Sequence, residues 1–191
     1  MSTRTMDVTE VFAVGVGEFA TRVHAVDGRW DEPSALPGWT VRDLVRHVVE
    51  EDLWAPPLFA GATIAEVGDR FAGDLLGDDP AAAFDAAAAD ALAAVRAPGA
   101  MATTVHLSFG DHPGSEYAMQ LAADNLVHAW DLARSLGVDD RLDAAAVAVV
   151  ADWFGGVQPF YLQAGAIAAP VAVPAGADRQ AQLIAMTGRT P

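Results

Sequence analysis

The chain has 191 residues, is 52% hydrophobic and 19% charged, and sets 11 Lys and Arg against 26 Asp and Glu, a formal net charge of -15. Those totals describe one globular domain, residues 1–191, and argue against duplex nucleic acid and anionic membrane as partners, because both are polyanions. The chain has no cysteine, which excludes disulfides, thiolate zinc sites and a protein thiol nucleophile; any thiol chemistry needs a thiol from outside.

The opening residues MSTRTMDVTE lack the apolar core of a signal peptide. The longest apolar run, 164–177, is broken by Pro170 and Pro174 and is too short to span a bilayer. A cytoplasmic location is the default expectation. Asp7 with Glu10 starts a first helix, along which Val8, Val11, Phe12, Gly15, Phe19, Val23 and Val26 recur at helical spacing until Gly28. Thr40 with Asp43 starts a second; Val41, Leu44, Val45 and Val48 form its apolar stripe, and Pro56-Pro57 should stop it. His47 borders that stripe, and Glu51 follows one turn later.

A Gly- and Asp-rich connection, 61–79, leads to Asp79-Pro80, a helix start with proline at the first position. Phe84, Ala88, Ala91 and Val95 mark this third helix, and Pro98-Gly99 closes it. Val105, Leu107 and Phe109 then alternate with Thr104, His106 and Ser108, the period of extended chain with one buried face. A lone strand is unstable, so this stretch reads as an extended connection packed on helices, followed by a loop from Gly110 to Gly114. Ser115 is the expected N-cap of a fourth helix that Gly137 ends. Asp140 and Asp143 open a fifth, with Leu142, Ala146, Val150, Trp153, Val157 and Tyr161 as its stripe; Gly155-Gly156 and Pro159 should bend or break it. A short terminal helix runs from about Asp178 to Met186. The sum is an all-α fold, a four-helix bundle with accessory short helices and one extended connection.

The chemistry concentrates on the fourth helix, in DNLVHAWDLARSLG. Asp124 and His128 are four residues apart, hence on one face a turn apart, and Asp131 follows three later on the same side. Tyr117, Leu121 and Leu132 share that face. A carboxylate and an imidazole inside an apolar stripe are costly to bury unless paired. A divalent metal would satisfy both, and so would a buried Asp–His hydrogen bond; the spacing by itself leaves the two readings open.

The segment GWTVRDLVRHVVEEDLWAPPLFAG resembles the opening of the DinB-like metalloenzyme superfamily. The nearer likeness is to the mycothiol-dependent maleylpyruvate isomerase N-terminal-domain group, well represented in actinobacteria. VHLSFGDHPG, LAADNLVHAWDLARSLG and the tail PVAVPAGADRQAQLIAMTGR are similar to one subgroup of it. The resemblance implies a four-helix bundle holding one metal, usually zinc or nickel, at one end. It implies His47, Asp124 and His128 as ligands, and therefore that the second helix faces the fourth. The isomerases carry glutamate where this chain has Asp124, one methylene shorter. They also carry a separate C-terminal domain, whose absence is the expectation here.

Two imidazoles and one carboxylate are three protein ligands, the number typical of a metal site that keeps a position open. Such a site activates a bound water or thiol. The reading is a metal-dependent enzyme that uses a low-molecular-weight thiol, mycothiol-like, as cosubstrate for S-transfer or isomerisation of a small molecule. A metal-dependent hydrolase and a non-catalytic metal- or ligand-binding bundle are its rivals. Expected partners are a small-molecule substrate and a thiol, with no nucleic acid and no membrane, and a homodimer as the oligomeric state to test. His106 and His112 are considered as extra ligands or proton carriers, with solvated loop residues as the preferred reading. Asp131 is considered as a residue orienting a ligand, with an ion pair to Arg134 or Arg42 preferred. Glu51 has the same ambiguity, and Trp54 and Trp130 read as core aromatics. No catalytic or cofactor-binding residue is assigned.

Overall fold

The structure, a computed structural model, describes residues 6–191. Its helices are α1 (Val8–Val23), α2 (Val41–Phe59), α3 (Ile64–Val67), α4 (Pro80–Arg96), α5 (Gly114–Leu136), α6 (Ala144–Gln163) and α7 (Arg179–Met186). Strands β1 (Thr104–Leu107) and β2 (Gly110–Pro113) form one small antiparallel hairpin. The fold is all-α, with this hairpin as its only sheet among the described residues.

Local chemistry fixes most of the helix starts. Asp7 and Glu10 form a reciprocal capping box on α1, and Thr40 with Asp43 forms another on α2. Asp79 caps α4 with Pro80 in its first turn, and Asp143 caps α6. Asp140 pairs with Arg134 instead of opening α6. The left-handed Gly137 ends α5 as its sequence position suggests. α1 stops at Val23, and Gly28 lies in the turn beyond it.

Two expected interruptions do not end their helices, and one helix start is displaced. α2 runs through Pro56 and Pro57 to Phe59; the prolines take the helical N–H bonds from the carbonyls of Asp52 and Leu53, and the helix ends within a turn of them. α6 continues across Gly155, Gly156 and Pro159. The carbonyl that Pro159 leaves without its helical donor belongs to exposed Gly155, where water can take it. α5 begins at Gly114, one residue before Ser115, and has no side-chain cap. The extended connection is also more than a connection: Val105 pairs with His112 and Leu107 with Gly110, so the segment read as a loop returns as the second strand.

α1 lies along α5 and α2 along α4, while contacts of α2 with α5 and of α1 with α4 close the four-helix ring. Phe12, Phe19, Leu44, Leu58, Phe84, Leu121, Leu126 and Leu132 fill its centre, fully buried. Phe19 and Phe84 bring their rings to 5.2 Å across α1 and α4. α6 lies outside the ring against α1 and α5, and α7 packs on α6. Among the described residues α6 alone is long and apolar enough to cross a membrane by length and composition.

Candidate metal centre

α2 and α5 are stitched by Leu44, Val48, Leu121 and their neighbours in the core. That packing carries His47 on α2 to the face of α5 that presents Asp124 and His128. The Nε2 atoms of both histidines face one oxygen: His47 Nε2 is 3.6 Å and His128 Nε2 3.4 Å from Asp124 Oδ1. One ligand-type atom from each of the three residues falls within 4.8 Å of the others. The two imidazoles stand edge to face with centroids 4.9 Å apart, and Trp39 stands edge to face on His47 at 5.4 Å.

The geometry suits a divalent ion. Separations of 3.4 and 3.6 Å are longer than good hydrogen bonds of charged partners. They match the edge of a tetrahedron whose bonds are about 2.0–2.1 Å, roughly 3.4 Å. The second oxygen of Asp124, Oδ2, is buried without a hydrogen-bond partner; an unpaired buried carboxylate oxygen needs a cation or a donor. The donor set, nitrogen and oxygen without sulfur, suits a divalent ion better than a soft one.

Asp131 stands behind His128. Its Oδ2 accepts from His128 Nδ1 at 2.9 Å, and both its oxygens accept from Arg189 at 2.7–2.9 Å. The preferred expectation of an ion pair with Arg134 or Arg42 is therefore corrected. Arg134 bonds Asp140, and Arg42 reaches Gly77 O and Asp74. Arg189 sits in the C-terminal tail, where nothing in the local sequence pattern marks it.

The cluster is strongly polarised. Burial pushes the Asp124 carboxyl up, but the His128 and His47 imidazoles outweigh it and hold it well below the usual carboxylate range. Burial lowers His128, yet Asp124 and Asp131 lift it to about 9, and Asp124 raises His47 in the same way. Burial, aided by Asp124, pushes Glu51 up to about 7. Asp52, on the buried face of α2, is pushed to about 8 by burial against a hydrogen bond from Asn125 Nδ2 at 3.1 Å. Burial also raises the Tyr117 hydroxyl, which has no partner. Asp52 could have been found: it follows Val48 by four and so continues the apolar stripe of α2.

His47, Asp124 and His128 line one wall of a cavity of about 1030 Å³. Glu51 and Tyr117 share it, Trp39, Trp130, Trp153 and Tyr161 give it aromatic walls, and Ile167, Leu183 and Arg189 contribute from the C-terminal part of the chain. Trp130 is thus a core aromatic that also faces the cavity, while Trp54 meets Phe71 edge to face elsewhere. His106 bonds Asp111 at 2.7 Å within the hairpin, and His112 packs beside Phe109. Neither joins the three-residue cluster or lines the cavity.

A four-helix bundle with two histidines and a carboxylate drawn together at the wall of an aromatic cavity defines a class, the DinB-like bundles with a metal-type ligand set. The chain belongs to the mycothiol maleylpyruvate isomerase N-terminal domain family, whose model matches residues 12–133 and so takes in all three side chains. Two similar relatives, both named as uncharacterized proteins, come from Mycobacterium tuberculosis strains H37Rv and CDC 1551. Each is 35% identical over 136 residues, covering 65% of this chain and 68% of its own length. No solved structure matches the chain significantly.

Proposed function

We propose that this protein is a metal-dependent enzyme that brings a low-molecular-weight thiol of the mycothiol type to a small molecule, for S-transfer or isomerisation. The observation that carries the reading is the convergence of His47, Asp124 and His128 at a cavity wall in a chain without cysteine. His47, Asp124 and His128 would hold a divalent ion through nitrogen and oxygen donors, a ligand number typical of sites that also take an exogenous ligand. Zinc or nickel bound there supplies the positive charge that favours the thiolate of an incoming thiol over its neutral form. The chain's own residues do the rest. His47, Asp124 and His128 bind and orient, and the tryptophans and tyrosine of the cavity exclude water around the substrate. Glu51 faces the same cavity and is placed to accept the proton that the thiol gives up. The family's name supports the choice of thiol, and the 1030 Å³ cavity is large enough for a thiol and a second small molecule together.

Cobalt-substituted protein tests this reading directly. A thiolate-to-metal charge-transfer band should appear when a small thiol is added, should saturate at lower concentration with mycothiol, and should be lost in His128→Ala. Protein proved to hold cobalt that gives no band with any thiol would refute thiol use and leave the hydrolase and binding-bundle readings.

A further inference from the structure

Arg189 meets Asp131 side-on. Its Nε lies 2.7 Å from Oδ1 and 2.9 Å from Oδ2, and its Nη2 lies 2.7 Å from Oδ2. Asp131 is 1% exposed, and its Oδ2 also accepts from His128 Nδ1 at 2.9 Å. One buried carboxylate is therefore gripped on two sides, by a guanidinium fork and by an imidazole.

The position of Arg189 is itself built. Val171 N donates to Ala185 O at 3.0 Å, Gln158 Nε2 to Met186 O at 2.9 Å, and Thr187 Oγ1 to Ile184 O at 2.7 Å. Gly188 has a φ of +83°, and a Cβ there would lie 2.6 Å from the Cβ of Ala168. The tail is thus tied to α6 and α7 and turns tightly to aim residue 189 back at α5. The other arginine on the cavity wall, Arg134, bonds Asp140 and lies over the Trp130 ring, so it does not substitute.

We infer that Arg189 is a positioning residue of the metal centre: its fork fixes the plane of Asp131, which holds the His128 ring with Nε2 turned toward His47 and Asp124. The inference rests on the metal reading above and adds to it a part of the chain beyond the segment 12–133 that the family model matches. Its physical basis is rotational. A carboxylate held through both oxygens cannot turn about its last bond, whereas one held by a single imidazole can, and the imidazole turns with it. Partners of this kind behind a ligating histidine are commonly worth 10- to 100-fold in metal affinity.

The experiment uses the full chain with Arg189→Met, Arg189→Lys, Asp131→Asn and the double variant Asp131→Asn/Arg189→Met. Zinc affinity is measured by chelator competition. In zinc-free protein, the downfield proton resonance of His128 Nδ1–H reports whether the bond to Asp131 is held. Arg189→Met should weaken zinc by roughly 10-fold or more and lose the resonance to exchange, with helicity retained. Arg189→Lys, which keeps the charge but not the fork, should fall between. Adding Arg189→Met to Asp131→Asn should cost no further affinity, since both act through one bond. Unchanged affinity and resonance in Arg189→Met would overturn the inference, as would losses that add in full. If Arg189→Met does not fold, Arg189→Lys decides by the same two readouts, and wild-type behaviour in both overturns it. If wild-type protein takes up no zinc, the metal reading fails, and the resonance alone then decides whether Arg189 holds His128.

Discussion

The rings of His47 and His128 meet edge to face at 4.9 Å, with their planes at 79°, one from α2 and the other from α5. Two imidazoles this close repel when both are protonated, and Asp124 Oδ1 faces the Nε2 of each. A divalent ion would carry the charge of both protons on a single centre between the three residues, and so remove that repulsion. His47→Ala and His128→Ala should each abolish stoichiometric metal in the purified protein while the helical circular-dichroism signal stays. Asp124→Glu should keep metal, because it preserves the carboxylate and only lengthens its reach. Elemental analysis decides, and full metal in both alanine variants would move the centre elsewhere.

Metal uptake should depend steeply on pH. His128 must be neutral to ligate, and in the metal-free protein its flanking carboxylates lift it from 6.5 to about 9. Apparent zinc affinity should therefore climb by at least about tenfold per pH unit from roughly 6.5 toward 9, since each ligand proton is displaced. The same shift sets a stability trend in the metal-free protein. A folded value above the unfolded one means the imidazolium contribution is whole below about pH 6.5 and is lost as pH rises through 9. Denaturant melts of wild type and His128→Gln at pH 6 and 9.5 check this: the variant should lack that part of the alkaline loss.

Asp52 gives a second, separable alkaline effect. It is fully buried, Asn125 Nδ2 donates to one of its oxygens, and the other has no partner. Its folded value of about 8 lies above the ordinary 3.8, so the folded state keeps a proton that the unfolded chain has lost. Stability should fall as pH rises from about 4 to 8 and then level off. Asp52→Asn keeps the shape without the charge, and should gain on wild type by on the order of a few kcal/mol between pH 5 and pH 8. An unchanged pH slope in the variant would place the titrating charge on another group.

Two glycines should respond in opposite directions to alanine. A Cβ on Gly114 would stand 2.0 Å from the carbonyl oxygen of Ala100 and 3.0 Å from Phe59 Cε1. Gly114→Ala should cost about 1–3 kcal/mol or unseat the start of α5, because the obstruction is backbone. Gly17, in the middle of α1, has nothing within 4 Å of its virtual Cβ. Gly17→Ala should stabilise the protein by about 0.5–1 kcal/mol through helix propensity. Thermal melts of the two variants side by side test the close approach of α5 to the turn before β1.

Local rules made much of the fold legible in the residues themselves. The pairs Asp7–Glu10, Thr40–Asp43 and Asp79–Pro80 place three helix starts, because a cap needs only side chains within one turn. The period of Phe84, Ala88, Ala91 and Val95 shows which face is buried, and the step from Asp124 to His128 puts two candidate ligands together. α6 continues past Pro159, whose freed carbonyl belongs to exposed Gly155 and can meet water, and α2 runs three residues past Pro56 before ending at Phe59; neither outcome follows from the residue type alone. The second strand carries no local signal: GDHP has no apolar alternation, and its pairing with residues 104–107 comes from the return of the chain.

The sequence by itself determined the class of fold, the acidity, the absence of a protein thiol and the i, i+4 half of the candidate centre. Tertiary structure decided what stands opposite that half. His47 joins Asp124 and His128 because α2 packs against α5, a contact that the residues signal only through a family resemblance. Asp131 turns to His128 and Arg189, although Arg134 is the nearer arginine in sequence, because the tail after α7 brings residue 189 back over α5 and Arg134 is engaged by Asp140. Capping and periodicity act within a turn or two of chain, where sequence distance is spatial distance. A metal centre and its supports are assembled across helices, where that equivalence ends.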